Sequence, residues 1–258
     1  MFETRLLSSL SKVFADEELQ DAAVKTGSCL RGEVYSFQVA YRSQELVKGI
    51  EVEVASSLAR HIEVRTVGLV PAEFLGARFD DDVLRTTPGL YPDPLYGLHA
   101  GVDAPPGQWR ALWVQVRVPK RSVQGRHEIA LRLGHGGRLL GSERFVLEVV
   151  PVVLPAQRLI HTSWFHADCI ATHYGDTTWS RGHWRRLEQF VHSAVDHGVN
   201  LLLTPLFTPP LDTQVGGERP TVQLVQVKKD GDRYAFDFSR LDRWVKMADR
   251  CGVRYFEM

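Results

Sequence analysis

Cysteine is scarce in this 258-residue chain, and the three that occur, Cys29, Cys169 and Cys251, are widely spaced and odd in number. That argues against a disulfide framework. Net charge is absent too: 31 basic and 31 acidic residues cancel. No global field draws the chain to nucleic acid or to an anionic membrane. No apolar run approaches the length of a membrane span. The first twenty residues, MFETRLLSSLSKVFADEELQ, carry acids at Glu3 and Asp16 and no signal-peptide core. These features predict a cytoplasmic protein with neither nucleic-acid nor membrane partners. Glycine-rich phosphate loops are also missing, since nothing like G-x-G-x-x-G follows the first strand-like run after Pro155.

What is present falls into two halves with different periods. Up to about residue 155, apolar residues alternate in short runs. In YSFQVAYR, Tyr35, Phe37, Val39 and Tyr41 share a face; in GIEVEVAS, Ile50, Val52 and Val54 oppose Glu51 and Glu53. WRALWVQVRVP, HEIALRL and RFVLEVV continue the pattern. Period two in several runs split by Gly and Pro predicts antiparallel strands, most simply a β-sandwich over residues 1–155. DDDVLRTTPGLYPDPLYGL (80–98) reads as a long ordered loop, with Asp80, Asp81 and Asp82 as a solvated turn.

Beyond Pro155 the pattern changes. LIHTSWFH (159–166) and NLLLTPLF (200–207) read as strands buried on both faces. Between them SRGHWRRLEQFVHSAVDHG has helical spacing through Trp184, Leu187, Val191 and Val195, with Ser180 as N-cap and Gly198 as stop. The unit recurs in SRLDRWVKMADRCG, with Ser239 as N-cap, a Leu241, Trp244, Val245, Ala248 stripe and Gly252 as stop, before VRYFEM as a third strand. The two helix ends match, Ala194-x-x-x-Gly198-Val199 and Ala248-x-x-x-Gly252-Val253. A hairpin is expected in TVQLVQVKKDGDRYAFDF near Asp230-Gly231. The class is therefore α+β multidomain: an amino-terminal β-sandwich, then an incomplete (β/α)8 TIM barrel over 156–258, with its first three strands and two helices. Such a sheet would have an open edge, to be covered by a homo-oligomeric partner or by a missing carboxyl-terminal portion. The sequence reads as the amino-terminal part of a longer protein.

WFHADCIA (164–171), LLLTPLFTPPLDTQVGGERPTVQLV (201–225), FDFSRLDRW (236–244) and GVRYFEM (252–258) resemble glycoside hydrolase family 123. In the first half LRGEVYSFQVAY (30–41), LRTTPGLYPDPL (84–95) and QWRALWV (108–114) do so too. The resemblance implies a sandwich before a catalytic barrel, and a retaining β-N-acetylhexosaminidase acting on terminal β-linked N-acetylgalactosamine. In that chemistry the substrate's 2-acetamido carbonyl attacks the anomeric carbon, one carboxylate orients the acetamido group and its neighbour is the general acid and base. It needs no metal or other cofactor. No adjacent Asp-Glu pair follows Pro155 here, so no catalytic residue is assigned and the chain is expected to be inactive alone. The alternative is a non-catalytic carbohydrate-binding or assembly module.

Residues at the carboxyl ends of the three expected strands would face a sugar. They are His166, Asp168 and Tyr174 after the first, Thr208, Asp212 and Arg219 after the second, and Glu257 on the third. Trp164 and Trp179 offer stacking surfaces, although a mid-strand Trp164 reads first as core. Glu218 and Arg219 read equally as an ion pair within the loop. His161, His166, Asp168, Cys169 and His173 have metal-ligand types without a standard spacing. On a strand His161 and His166 would point to opposite faces, so no metal site is assigned.

Overall fold

The computed structural model describes residues 1–73, 83–164, 166–207, 213 and 215–258. The chain divides into two compact units, Met1–Pro155 and Ala156–Met258. Asp80, Asp81 and Asp82 lie outside the described residues.

Among the described residues the first unit is built from ten strands. They are β1 (Phe2–Ser8), β2 (Thr26–Arg31), β3 (Val34–Ser43), β4 (Val47–Ser56), β5 (Ile62–Ala72), β6 (Gly89–Gly97), β7 (Val102–Ala104), β8 (Arg110–Arg117), β9 (Gly125–His135) and β10 (Arg138–Val153). They form two five-stranded sheets, in the orders β1-β3-β8-β5-β6 and β2-β10-β9-β4-β7. One hydrophobic core takes side chains from both: Phe37, Val39, Leu112 and Val114 from the first, Ile50, Ile129, Leu131 and Leu147 from the second. The alternation seen in YSFQVAYR and GIEVEVAS is the inward face of β3 and β4. Phe37 stacks on Phe145 of the other sheet at 4.1 Å and 9°. The opposite face of the first sheet is apolar as well. Leu7, Ala40, Trp109 and Ala111 pack beneath Val13 as a second cluster.

Two expectations about this unit are corrected. Pairing is not wholly antiparallel, because β2 runs parallel to β10. The expected ordered loop at 80–98 contains β6, paired with β5 from Arg65↔Gly97 to Ala72↔Gly89. Pro92 and Pro94 suggested a loop because proline cannot donate to a ladder. At the sheet edge, however, one side of the strand needs no partner, and Pro94 falls where the register shifts between Val67 and Leu69.

In the second unit come α1 (Ala167–Tyr174), α2 (Arg181–Asp196), β11 (Leu201–Leu203), β12 (Gln226–Asp230), β13 (Arg233–Asp237), α3 (Ser239–Cys251) and β14 (Tyr255–Glu257). Here β11 and β14 pair in parallel, Leu201↔Tyr255 to Leu203↔Glu257, and β12 and β13 form the expected hairpin. Trp184, Leu187 and Val191 of α2 and Trp244, Met247 and Ala248 of α3 are buried in one core with Leu202. The matching helix ends are the same device built twice. Val199 N–H bonds to Ala194 O and Val253 N–H to Ala248 O, each at 3.0 Å. Gly198 and Gly252 take φ of +88° and +101°, the left-handed turn that closes a Schellman motif.

Among the described residues the strand expected at 159–166 does not form, and an isolated parallel bridge joins Thr162 to Leu201. His161 O accepts the backbone N–H of Asn200 at 3.0 Å and of Leu201 at 3.2 Å, and the Asn200 side chain takes two further backbone groups. Asn200 Oδ1 accepts from His161 N–H at 2.8 Å, and Asn200 Nδ2 donates to Leu159 O at 2.9 Å. The run at 200–207 shortens to Leu201–Leu203. Among the described residues the second unit has three helices, α1 being the one not expected. Ser180 caps α2 as expected, accepting from His183 N–H at 3.2 Å. Ser239 does not cap α3: it is the first helical residue, and Asp237 Oδ1 accepts its N–H at 2.8 Å. Among the described residues no helix is long and apolar enough to cross a membrane.

Candidate functional site

The carboxyl ends of β11 and β14 lie side by side, and the side chains collected there come from four stretches of chain. Glu257 closes β14, and its carbonyl accepts Thr204 N–H at 2.8 Å, extending the pairing one residue past β11. Trp164 Nε1 donates to Glu257 Oε2 at 2.8 Å. The indole is thereby fixed in orientation while its ring stays 53% exposed. Trp164 is not core, as a mid-strand position suggested. The strand that would have buried it is absent, and the ring stands at the surface.

Three residues on, the chain enters α1. His166 is the N-cap residue by position, with extended backbone, but its side chain makes no capping bond. Asp168 lies in the first turn, where a carboxylate favours the positive end of the helix. It is 1% exposed. Its Oδ2 meets Arg219 Nε at 2.7 Å, and Arg219 Nη2 lies 3.1 Å from Cys169 Sγ. Asp168 Oδ1 is buried without a hydrogen-bond partner among the described residues. The loop after β11 is thus fastened to α1 by an ion pair that uses two of the sequence candidates. Arg219 reaches Asp168, while Glu218 stays exposed.

Other candidates are placed elsewhere. Tyr174 ends α1 and packs on α2, under Arg186 at 4.1 Å and against Phe190 at 6.2 Å. Trp179 faces Trp184 at 4.9 Å and takes a φ of +62°, rare outside glycine. Thr208 and Asp212 lie outside the described residues. The five metal-ligand types between His161 and His173 do not gather. Among the described residues the grouping within reach of one ion is Glu188, His192 and Cys251.

A support that sequence reading missed is His183, which is fully buried. Its Nδ1 accepts Trp179 N–H at 2.9 Å, so the ring proton sits on Nε2 and is donated to Ala167 O at 2.8 Å. That bond anchors the first turn of α1, one residue before Asp168. In the first unit Asp16 and Glu18 are committed to structural work. Asp16 grips Arg85 with both oxygens, at 2.7 and 2.9 Å, and Glu18 pairs with Arg42. Hydrogen bonds from these guanidinium groups hold both carboxyls below their ordinary range.

Comparison with known proteins decides the family. Residues 164–258 match the family model "Glycoside hydrolase 123, catalytic domain". This segment belongs to glycoside hydrolase family 123. The chain also resembles a solved family 123 glycoside hydrolase from Clostridium perfringens, described for glycolipid glycan hydrolysis. The TM-score is 0.74 and the identity 14%, over 98% of this chain and 46% of that one. The present chain therefore spans just under half the length of that family 123 protein, and at this identity the likeness establishes the fold. A likeness to AvmM, which catalyses macrocyclization in alchivemycin A biosynthesis, has a TM-score of 0.33 and 9% identity over 61% of this chain and 92% of that one. It carries no argument. No curated protein matches the sequence.

Proposed function

We propose that Ala156–Met258 supplies the opening strands and the sugar-facing rim of a family 123 barrel, and that Met1–Pro155 is the β-sandwich preceding it. The reaction of the whole would be retaining, substrate-assisted hydrolysis of a terminal β-linked N-acetylgalactosamine. A glycolipid glycan, as for the Clostridium perfringens protein, is the substrate class this favours. The observation that carries the reading is Trp164. It is an exposed ring locked by its own N–H onto Glu257 at the carboxyl end of a parallel strand pair, within the family 123 segment. An apolar pyranose face stacks on such a ring at little entropic cost, because the indole is already oriented. Glu257 Oε1 and His166 would then take sugar hydroxyls.

Asp168 and Arg219 serve the same sugar from behind. Their charges are spent on each other, and Oδ1 of Asp168 is closed to solvent. Thr208 and Asp212 complete the proposed rim, whereas Tyr174, packed against Arg186 and Phe190 of α2, is not part of it. The adjacent Asp-Glu pair that would orient the acetamido group and protonate the leaving oxygen does not occur after Pro155. These 258 residues therefore bind the sugar without cleaving it, which is also what a non-catalytic carbohydrate-binding module would do.

The test is a titration with methyl β-N-acetylgalactosaminide, read by saturation-transfer NMR, beside a release assay with an aryl β-N-acetylgalactosaminide. Transfer to the sugar that is lost in Trp164→Ala, with no aryl alcohol released, is the expected outcome. Release of aryl alcohol by this chain, or transfer unchanged in Trp164→Ala, would overturn the proposal.

A further inference from the structure

Glu188, His192 and Cys251 are drawn together by two helices and take no part in the proposed sugar site. Glu188 and His192 are four apart on α2, so they rise from one face, one turn apart. Cys251 is the last residue of α3, buried, with Sγ 3.9 Å from Glu188 O. One carboxylate oxygen, one imidazole nitrogen and the sulfur all lie within 4.8 Å of one another. Arg250, beside the cysteine, donates to Glu188 Oε1 at 3.0 Å and draws the end of α3 over α2.

We propose that Glu188, His192 and Cys251 form a zinc-binding site joining α2 to α3, with water as the fourth ligand. The donor set selects the metal. Carboxylate, imidazole and thiolate together suit zinc, whereas magnesium and calcium demand oxygen alone. Tetrahedral ligands at zinc bond lengths are about 3.5 Å apart. The three atoms lie within 4.8 Å of one another, and rotation of the exposed His192 ring would bring its nitrogen to ligand distance. Binding displaces the Cys251 thiol proton to solvent, and the metal takes a lone pair from neutral His192. Glu188 has two oxygens, so the Arg250 bond and a metal bond can coexist, although Arg250 places a positive charge beside the ion. The site would staple the two helices whose shared core carries β11 and β14. It stands or falls independently of any sugar binding.

Cobalt(II) titration of the 258-residue chain, purified free of metal, provides the test. One equivalent should produce a thiolate-to-cobalt charge-transfer band in the near ultraviolet, and zinc should displace it. Cys251→Ser should abolish the band and Cys169→Ser should leave it. His192→Ala, at an exposed position that does not threaten folding, should weaken binding beyond the roughly 10- to 100-fold seen when a merely supporting neighbour is lost. Arg250→Gln should tighten it by removing the competing cation. The proposal is overturned if the wild-type chain shows no band, if the band survives Cys251→Ser, or if His192→Ala binds cobalt as the wild type does.

Discussion

Replacing Arg219 by methionine removes one partner of a pair whose side chains are 16% and 2% exposed, at 2.7 Å. Charges about 4 Å apart attract by about 1 kcal/mol in water but about 4 kcal/mol at an effective dielectric near 20. Asp168 lies at the low-dielectric end of that range. Its second oxygen has no partner among the described residues to take over once the guanidinium is gone. Stranding a buried carboxylate in this way costs about 3–5 kcal/mol. Arg219 has further contacts, Cys169 Sγ among them, so the single variant overstates the pair. A cycle with Asp168→Asn cancels those contacts, and the coupling should be about 1.5–3 kcal/mol. Urea unfolding followed by tryptophan fluorescence suits the measurement, because Trp164, Trp179, Trp184 and Trp244 all lie in Ala156–Met258. Amide exchange across α1 gives the local counterpart. A coupling below about 0.5 kcal/mol, the level of an exposed pair, would refute the claim that this ion pair fastens the rim to the helix.

Three further outcomes follow from the same geometry. Gly252→Ala should cost about 1–2 kcal/mol in thermal or urea unfolding, since φ is +101° and the new Cβ would lie 3.3 Å from Val195 Cγ1. An aromatic disulfide reagent at pH 8 should label Cys169 in the native chain and all three thiols after denaturation. Burial pushes Cys29 up to about 11 and leaves its sulfur shielded, and Cys251 is buried too; labelling of more than one thiol in the folded chain would contradict this. Asp237 is held below its ordinary value of 3.8 chiefly by the Ser239 backbone N–H. A depressed carboxyl stabilises the fold above its unfolded value and loses that effect as pH falls through the folded one. Asp237→Ala should therefore unfold earlier than wild type near neutral pH, with the difference closing in acid. A constant difference across the range would count against the cap.

Much of the fold was legible because it rests on local patterns. Alternation along β3, β4 and β8 reports a sheet with one face in the core, and the twin Gly-Val helix ends report a repeated turn whose geometry only glycine takes easily. Where the structure departs, the deciding interactions are not local. Pro92 and Pro94 look like loop until β5 is known to pair with one side of them, with β6 at the edge of the sheet among the described residues. The run 159–166 looks like a strand, yet its contact with β11 is reduced to one bridge and the bonds at His161, with the Asn200 side chain taking His161 N–H and Leu159 O. The eight residues of α1, with cysteine, threonine and histidine among them, would be a marginal helix alone. His183 and Arg219 hold its first turn from distant stretches. The site suffered for the same reason. Asp168 and Arg219 were recognisable as polar residues near a strand end, but their partnership spans 51 positions. The exposure of Trp164 follows only from the missing strand. The spacing of Glu188 and His192 was readable on α2, whereas the arrival of Cys251 beside them was not.

The central claim, that the ends of β11 and β14 with the start of α1 form a sugar-facing rim, is tested most directly by amide hydrogen exchange with and without methyl β-N-acetylgalactosaminide on the order of 10 mM, where a millimolar complex is well populated. The account predicts slowed exchange confined to α1 and to the segment around Tyr255–Glu257, and its disappearance in Trp164→Ala. Protection found only within Met1–Pro155, or unchanged by Trp164→Ala, would contradict it.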